Sequence, residues 1–246
     1  MNLNFQAFMA RLRAAEGAPP WPPSTGLWLL LAFIAARVVV APLLVTAALS
    51  PEAATAGISP AITNLSASVG DILALSLAWV TLRRAGRGPV LRALRLDRTA
   101  DSAWLVALFS LGAAIVVDFA PLAFQTIGLP VNLIGLAGGS APTWLLAAVF
   151  TVIIGPLTGA VLLHGVLYPA LAARAGNLRA ILLTALAFMV AQVIDNPADR
   201  VLWLESLLAG LYLTGVRAHQ QSTRAAALAG MMFGVFAMFK AMRLFL

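Results

Sequence analysis

The sequence predicts an all-α polytopic membrane protein, a transmembrane helix bundle of about seven spans with no soluble domain of useful size. Three observations carry this prediction. Of the 246 residues, 61% are hydrophobic and only 10% charged, whereas a soluble domain carries roughly 25% charged residues. The apolar residues gather in runs at 25–49, 61–82, 102–124, 143–172, 178–194, 201–217 and 224–245. Each run exceeds or approaches the about 20 residues that cross ~30 Å of hydrocarbon as a helix. The basic residues then cluster in alternate connections between the runs, the pattern expected of cytoplasmic loops.

Residues 1–24 form an N-terminal cytoplasmic or interfacial segment, and 25–246 a single transmembrane domain. Phe5, Phe8, Met9 and Leu12 recur at helical spacing within Met1–Gly17, with Arg11 and Arg13 elsewhere on the wheel. That pattern fits a helix lying on the membrane surface; a frayed terminus is the alternative. The first apolar run is too long for the core of a cleavable signal, so none is expected. The Pro19-Pro20-Trp21-Pro22-Pro23 stretch ends any helix and should set Trp21 at headgroup depth. The fifth and sixth runs are short and should tilt little. Pro156 lies in the middle of the long fourth run and should kink it, since proline removes one backbone hydrogen bond.

Orientation follows from the loops. Arg11 and Arg13, then Arg83, Arg84, Arg87, Arg92, Arg95 and Arg98, then Arg174 and Arg179, then Arg217 and Arg224 all fall on one side. The intervening connections 50–60 and 125–142 have no Lys or Arg, and 195–200 has only Arg200. The N-terminus is therefore expected in the cytoplasm and the C-terminus outside, in a bacterial cytoplasmic membrane. Lys240 and Arg243 are exceptions that can snorkel to headgroups. No sequence repeat at a fixed period is evident, which disfavours an inverted-repeat transporter.

Several function classes fall away. The net charge of +7 reflects loop arginines and does not predict nucleic-acid binding. Cysteine is absent and histidine occurs twice, as His164 and His219, which leaves little for thiolate, metal or imidazole chemistry. No cofactor and no metal site are expected. Ionisable groups inside the membrane need a reason. Arg37 and Asp71 lie at the middles of the first two spans, and antiparallel neighbours would bring them to one depth. A structural ion pair fixing helix register is preferred to a proton or ion relay. Asp118 and Glu205 lie toward the outer ends of their spans and should reach water or headgroups.

Three motifs remain. The first is Gly155-Pro156-Leu157-Thr158-Gly159-Ala160-Val161-Leu162-Leu163-His164-Gly165-Val166-Leu167-Tyr168. The second is Phe188-Met189-Val190-Ala191-Gln192. The third is Gly230-Met231-Met232-Phe233-Gly234, after a short basic loop. In order and spacing, from about Trp144 to Phe239, they resemble the CPBP family of intramembrane proteases, also called the CAAX-protease and bacteriocin-processing or Abi family. That family has Pro followed by Glu-Glu, three residues, Arg and Gly; then Phe-x-x-x-His; then His-x-x-x-Asn or Asp. The resemblance implies a CPBP-like core in the C-terminal half. In active members a first-motif glutamate activates water, and the histidines and asparagine complete the site.

The departures shape the functional expectation. Gly159 and Ala160 stand at the glutamate pair, His164 at the arginine, Gln192 at the second-motif histidine, and Gly230 and Gly234 at the third-motif pair. Amide hydrolysis needs a base and donors for the developing oxyanion. Gln192 supplies no base, and His164 without an orienting partner is a poor one. His164 is read either as a ligand-binding group or as a hydrated or backbone-bonded histidine near the end of span four; Gln192 is read as interhelical glue. Gly155 and Gly159, like Gly230 and Gly234, form Gly-x-x-x-Gly pairs that let helices approach closely. The expected function is a catalytically inactive pseudoprotease. It would bind membrane lipids and other integral membrane proteins as a scaffold, accessory subunit or assembly or regulatory factor of a complex. Two alternatives are an active CAAX-type protease with a site displaced onto Glu205, Asp118 or His164, and a small transporter using Arg37 and Asp71.

Overall fold

The structure, a computed structural model, describes residues 17, 19–48, 60–85, 89–97, 102–121, 141–194 and 199–245. Among them every regular element is helical. Helix α1 runs over 23–48, α2 over Pro60–Ala85, the short α3 over Val90–Ala93 and α4 over Ala103–Phe119. Helix α5 runs over 141–175, α6 over Asn177–Val193, α7 over Arg200–Gln220 and α8 over Thr223–Phe245. Each of the seven expected apolar runs thus holds a helix. Five of these contain stretches long and apolar enough to cross a bilayer: Ser24–Ala47, Leu65–Ala85, Trp144–Ala175, Arg200–Gln220 and Thr223–Met242. Helices α4 and α6 are apolar but only 17 residues long, or about 25 Å at the helical rise. The protein is an all-α, multi-pass membrane bundle. Its outer face carries side chains only lipid would cover, among them Trp28, Leu43, Trp104, Val116 and Leu145. The expected surface helix at Met1–Gly17, apart from Gly17 itself, and Arg87 and Arg98 of the basic loop lie outside the described residues.

Proline governs the local geometry in a way the sequence does not predict. Three stretches widen to π-helix: Ala36–Val40 in α1, and Phe150–Ile154 and Ala160–Leu167 in α5. A proline follows within two residues each time, as Pro42, Pro156 and Pro169. A helical proline lacks an N–H, and its ring clashes with the carbonyl four residues earlier. Here that carbonyl lies inside the π segment in every case. The residue before the proline donates five back: Ala41 to the Ala36 carbonyl, Gly155 to Phe150 and Tyr168 to Leu163. At Pro156 the helix widens on the N-terminal side of the proline, a device frequent at functional sites.

The connections are short where they are described. Gly176 (φ 79°) ends α5 and begins α6 at one residue, a left-handed conformation that favours glycine. Asp199 caps α7 by accepting from the Val201 and Leu202 amides at 3.0 and 3.2 Å. Gln221 turns left-handed to end α7, and Ser222 Oγ accepts from the Ala225 amide at the start of α8.

One apolar cluster joins Leu29 and Phe33 of α1, Ala74, Ala78 and Leu82 of α2, Leu94 after α3, and Val161, Leu162 and Val166 of α5. Trp21 belongs to it and is 3% exposed. The proline-rich entry folds the Trp21 indole onto the core. Tyr168, Ala180 and Ala218 pack α5, α6 and α7 together. Val106, Leu213 and Ala229 join α4, α7 and α8, where Tyr212 Oη and Ser110 Oγ also meet at 3.1 Å.

Candidate functional site

The first motif lies on the second π segment of α5, where every residue from Ala160 to Leu167 is buried. His164 is 1% exposed and stacks on Phe188 of α6, ring centroids 6.3 Å apart. Its Nδ1 lies 3.3 Å from Thr214 Oγ1 of α7. The Thr214 hydroxyl donates its single proton to the Gly210 carbonyl at 2.7 Å, so toward His164 it can only accept. The network therefore assigns the proton of the neutral ring to Nδ1 and leaves a lone pair on Nε2. That atom is buried and has no hydrogen-bond partner among the described residues. His164 has the orienting partner that the sequence does not disclose.

Arg217 completes the cluster. The sequence places it in a basic loop, yet α7 continues past it and the residue is 1% exposed. Its Nε donates to the His164 carbonyl and to Thr223 Oγ1, each at 3.1 Å. Its guanidinium sits 5.4 Å from the centre of the Tyr168 ring. The Thr223 amide in turn donates to the Arg95 carbonyl at 3.3 Å. The Arg217 side chain thus ties α5, α7 and α8 together, and the Thr223 backbone adds the turn after α3. A proton taken up at His164 would place a second positive charge beside Arg217, with a hydroxyl rather than a carboxylate behind the ring. A triad base needs the opposite arrangement. The ring is better built to accept a hydrogen bond than to abstract a proton.

The tautomer is measurable. In ¹⁵N-histidine-labelled protein, His164 should show the Nδ1–H pattern. Thr214→Val keeps the shape, removes the acceptor and should cost about 1–3 kcal/mol of stability by stranding a buried donor. An Nε2–H ring in the unaltered protein would refute the assignment.

The other motif positions fall as follows. Gly159 faces Phe188: a Cβ on this glycine would lie 3.8 Å from Phe188 Cε2. Gly155 faces Asp71 of α2, whose Oδ2 would lie 3.8 Å from such a Cβ. Gly230 and Gly234 of α8 lie against α5, but one turn earlier than the Gly155–Gly159 pair. A Cβ on Gly230 would stand 3.1 Å from Pro156 Cβ, and one on Gly234 would overlap the Thr151 carbonyl oxygen. Gln192 is half-buried near the end of α6. Arg37 lies at the α1–α2 crossing: its Cα would be 2.8 Å from a Cβ on Gly70, the neighbour of Asp71.

Toward the opposite end, Lys240 of α8 forms a salt bridge with Asp118 of α4, both half-buried. Glu205 of α7 lies within electrostatic reach of both. Asp118 and Lys240 thus join α4 to α8. Among the described residues no three His, Asp or Glu side chains gather so as to hold a metal ion.

Sequence reasoning misses Thr214, Arg217, Tyr168 and Thr223. A local signal is present, since Thr214 and Arg217 are three residues apart and so share a helix face. A comparison with curated proteins and one with solved structures find no match. Residues 141–236, which hold all three motifs, match the model of the Rce1-like family, type II CAAX prenyl endopeptidase Rce1-like. Over this stretch the chain is similar to the CAAX-protease-like membrane proteins of the CPBP family.

Proposed function

We propose that this CPBP-like protein has no peptidase chemistry and works by binding other integral membrane proteins, as an accessory subunit, scaffold or regulatory factor. The reading rests on the first motif, where the resemblance sets Gly159 and Ala160 at the positions of the family's glutamate pair. Water activation in a membrane site needs a base of that kind. The third-motif positions support it, because Gly230 and Gly234 offer no donor to an oxyanion and are closed against α5. The basic face and the broad lipid-facing surface are the contact regions. The N-terminus is assigned to the cytoplasm on the arginines of the α2–α4 connection and of Arg174, Arg179 and Arg224.

One observation favours a second reading. The matched family is a protease family, and His164 offers a pre-oriented acceptor nitrogen. An endopeptidase with a displaced site would use it. A single assay separates the two. The protein is reconstituted in liposomes and offered a farnesylated CAAX peptide, with an active family member as positive control. Cleavage at the level of empty liposomes is the expected result. Turnover that disappears in His164→Ala or Glu205→Gln would establish the displaced site and overturn the binding-only reading.

A further inference from the structure

A groove of about 410 Å³ opens between α2, the turn after α3, and α5. Its walls are Leu75, Trp79 and Val80 on one side and Leu94 and Leu96 on the other, with Leu82 and Val161 at the back. Ser76 supplies its one hydroxyl. The volume falls in the range of built ligand sites, about 300–1,000 Å³, yet the lining offers almost nothing to a polar ligand.

The charge lies at the rim. Arg83 and Arg84 end α2, and both are exposed. Trp79 and Arg83 are four residues apart, as are Val80 and Arg84, so each arginine stands one turn beyond a groove-lining residue on the same helix face. Arg92 lies on α3, two residues before the groove-lining Leu94, with a side chain 79% exposed and Asp97 at 3.8 Å. Three guanidinium groups against one carboxylate leave the rim cationic. Trp79 is 46% exposed, as suits an indole at the boundary between hydrocarbon and headgroups.

We propose that this groove binds one anionic phospholipid of the surrounding leaflet, with an acyl chain along Leu75, Val80 and Leu94 and the phosphate on Arg83, Arg84 and Arg92. A slot that is apolar inside and cationic at the mouth matches a molecule that is apolar along its length and anionic at its end. Guanidinium groups suit phosphate because they bind it through two parallel hydrogen bonds. A peptide segment would leave its backbone polar groups without partners in this lining.

The test uses full-length protein in mild detergent. Phosphatidylglycerol, phosphatidylcholine with the same chains, and oleate are titrated separately and retention is read by native mass spectrometry. One phosphatidylglycerol should be retained, with at least tenfold preference over phosphatidylcholine. Replacing Arg83, Arg84 and Arg92 by Gln should erase that preference, at about fivefold per arginine. Replacing the same three by Lys should preserve most of it, which separates charge from damage to the fold. Ser76→Phe, which fills the groove, should weaken both lipids. Equal retention of the two phospholipids would overturn the site, as would a preference that survives the Gln substitutions. Oleate binding as tightly as phosphatidylglycerol would make it a fatty-acid site instead. An unchanged preference in Ser76→Phe would show a surface charge patch without a groove.

Discussion

Gly234→Ala is expected to destabilise the protein by about 3 kcal/mol or more, the upper end of the range for overpacking. A Cβ at this position would overlap the Thr151 carbonyl oxygen and lie 2.9 Å from Val152 Cα and 3.0 Å from the Thr151 carbonyl carbon. All three atoms are backbone, so no rotamer change relieves the clash. Either α8 moves away from α5 or the widened turn Phe150–Ile154 re-forms. Gly230→Ala should cost less, because its nearest neighbour is the Pro156 ring at 3.1 Å. Gly215 is the internal control. It lies inside α7, where a Cβ would find nothing within 4 Å, so Gly215→Ala should stabilise by about 0.5–1 kcal/mol through helix propensity. Unfolding in detergent, followed by circular dichroism against denaturant or temperature, ranks the three. If Gly234→Ala behaved like Gly215→Ala, the close α5–α8 contact would not exist.

The glycine contacts also mark where the sequence is legible. Seven apolar runs become seven helices because length and hydrophobicity are properties of the chain itself and the bilayer admits few other structures. Gly230 and Gly234 are visible as a small-residue ridge. Their partner is not, since the register between α5 and α8 depends on the π segments, which shift every later side chain around the axis. Proline gives notice of a defect at Pro42, Pro156 and Pro169 but not of how the helix absorbs it. Arg217 reads as a loop residue because a charge near the end of an apolar run usually is one. Its burial depends on the His164 carbonyl, the Thr223 hydroxyl and the Tyr168 ring, partners 53, 6 and 49 residues away in the chain. The orientation of His164 is hidden for the same reason: Thr214 reaches it only once α5 and α7 are packed. The packing of Trp21 is hidden too, since a proline-flanked tryptophan before a span looks the same in sequence whether or not the chain folds it against the bundle.

We propose that Arg37 and Asp71 form an ion pair: removing one member is expected to cost about 3–5 kcal/mol, and removing both much less than the sum. The reasoning begins with the backbones. Gly70 lets α2 come so near α1 that a Cβ there would stand 2.8 Å from Arg37 Cα and 3.3 Å from the Ala36 carbonyl oxygen. Asp71, the next residue, is 7% exposed and faces Gly155 of α5. Arg37 lies over the Phe33 ring at 6.0 Å. The two charges therefore occupy one level of the bundle, within an apolar environment that penalises either of them alone. Arg37→Met strands the carboxylate and Asp71→Asn strands the guanidinium, whereas the double variant leaves no net charge to stabilise. Equilibrium unfolding of the wild type, both single variants and the double variant closes the cycle, with an expected coupling of at least about 2 kcal/mol. Proton flux into liposomes supplies the independent check on the relay reading: Asp71→Asn should leave it at the background of the unaltered protein. Strict additivity of the two substitutions would refute the pair, and a wild-type flux abolished in Asp71→Asn would make these residues a transport path instead.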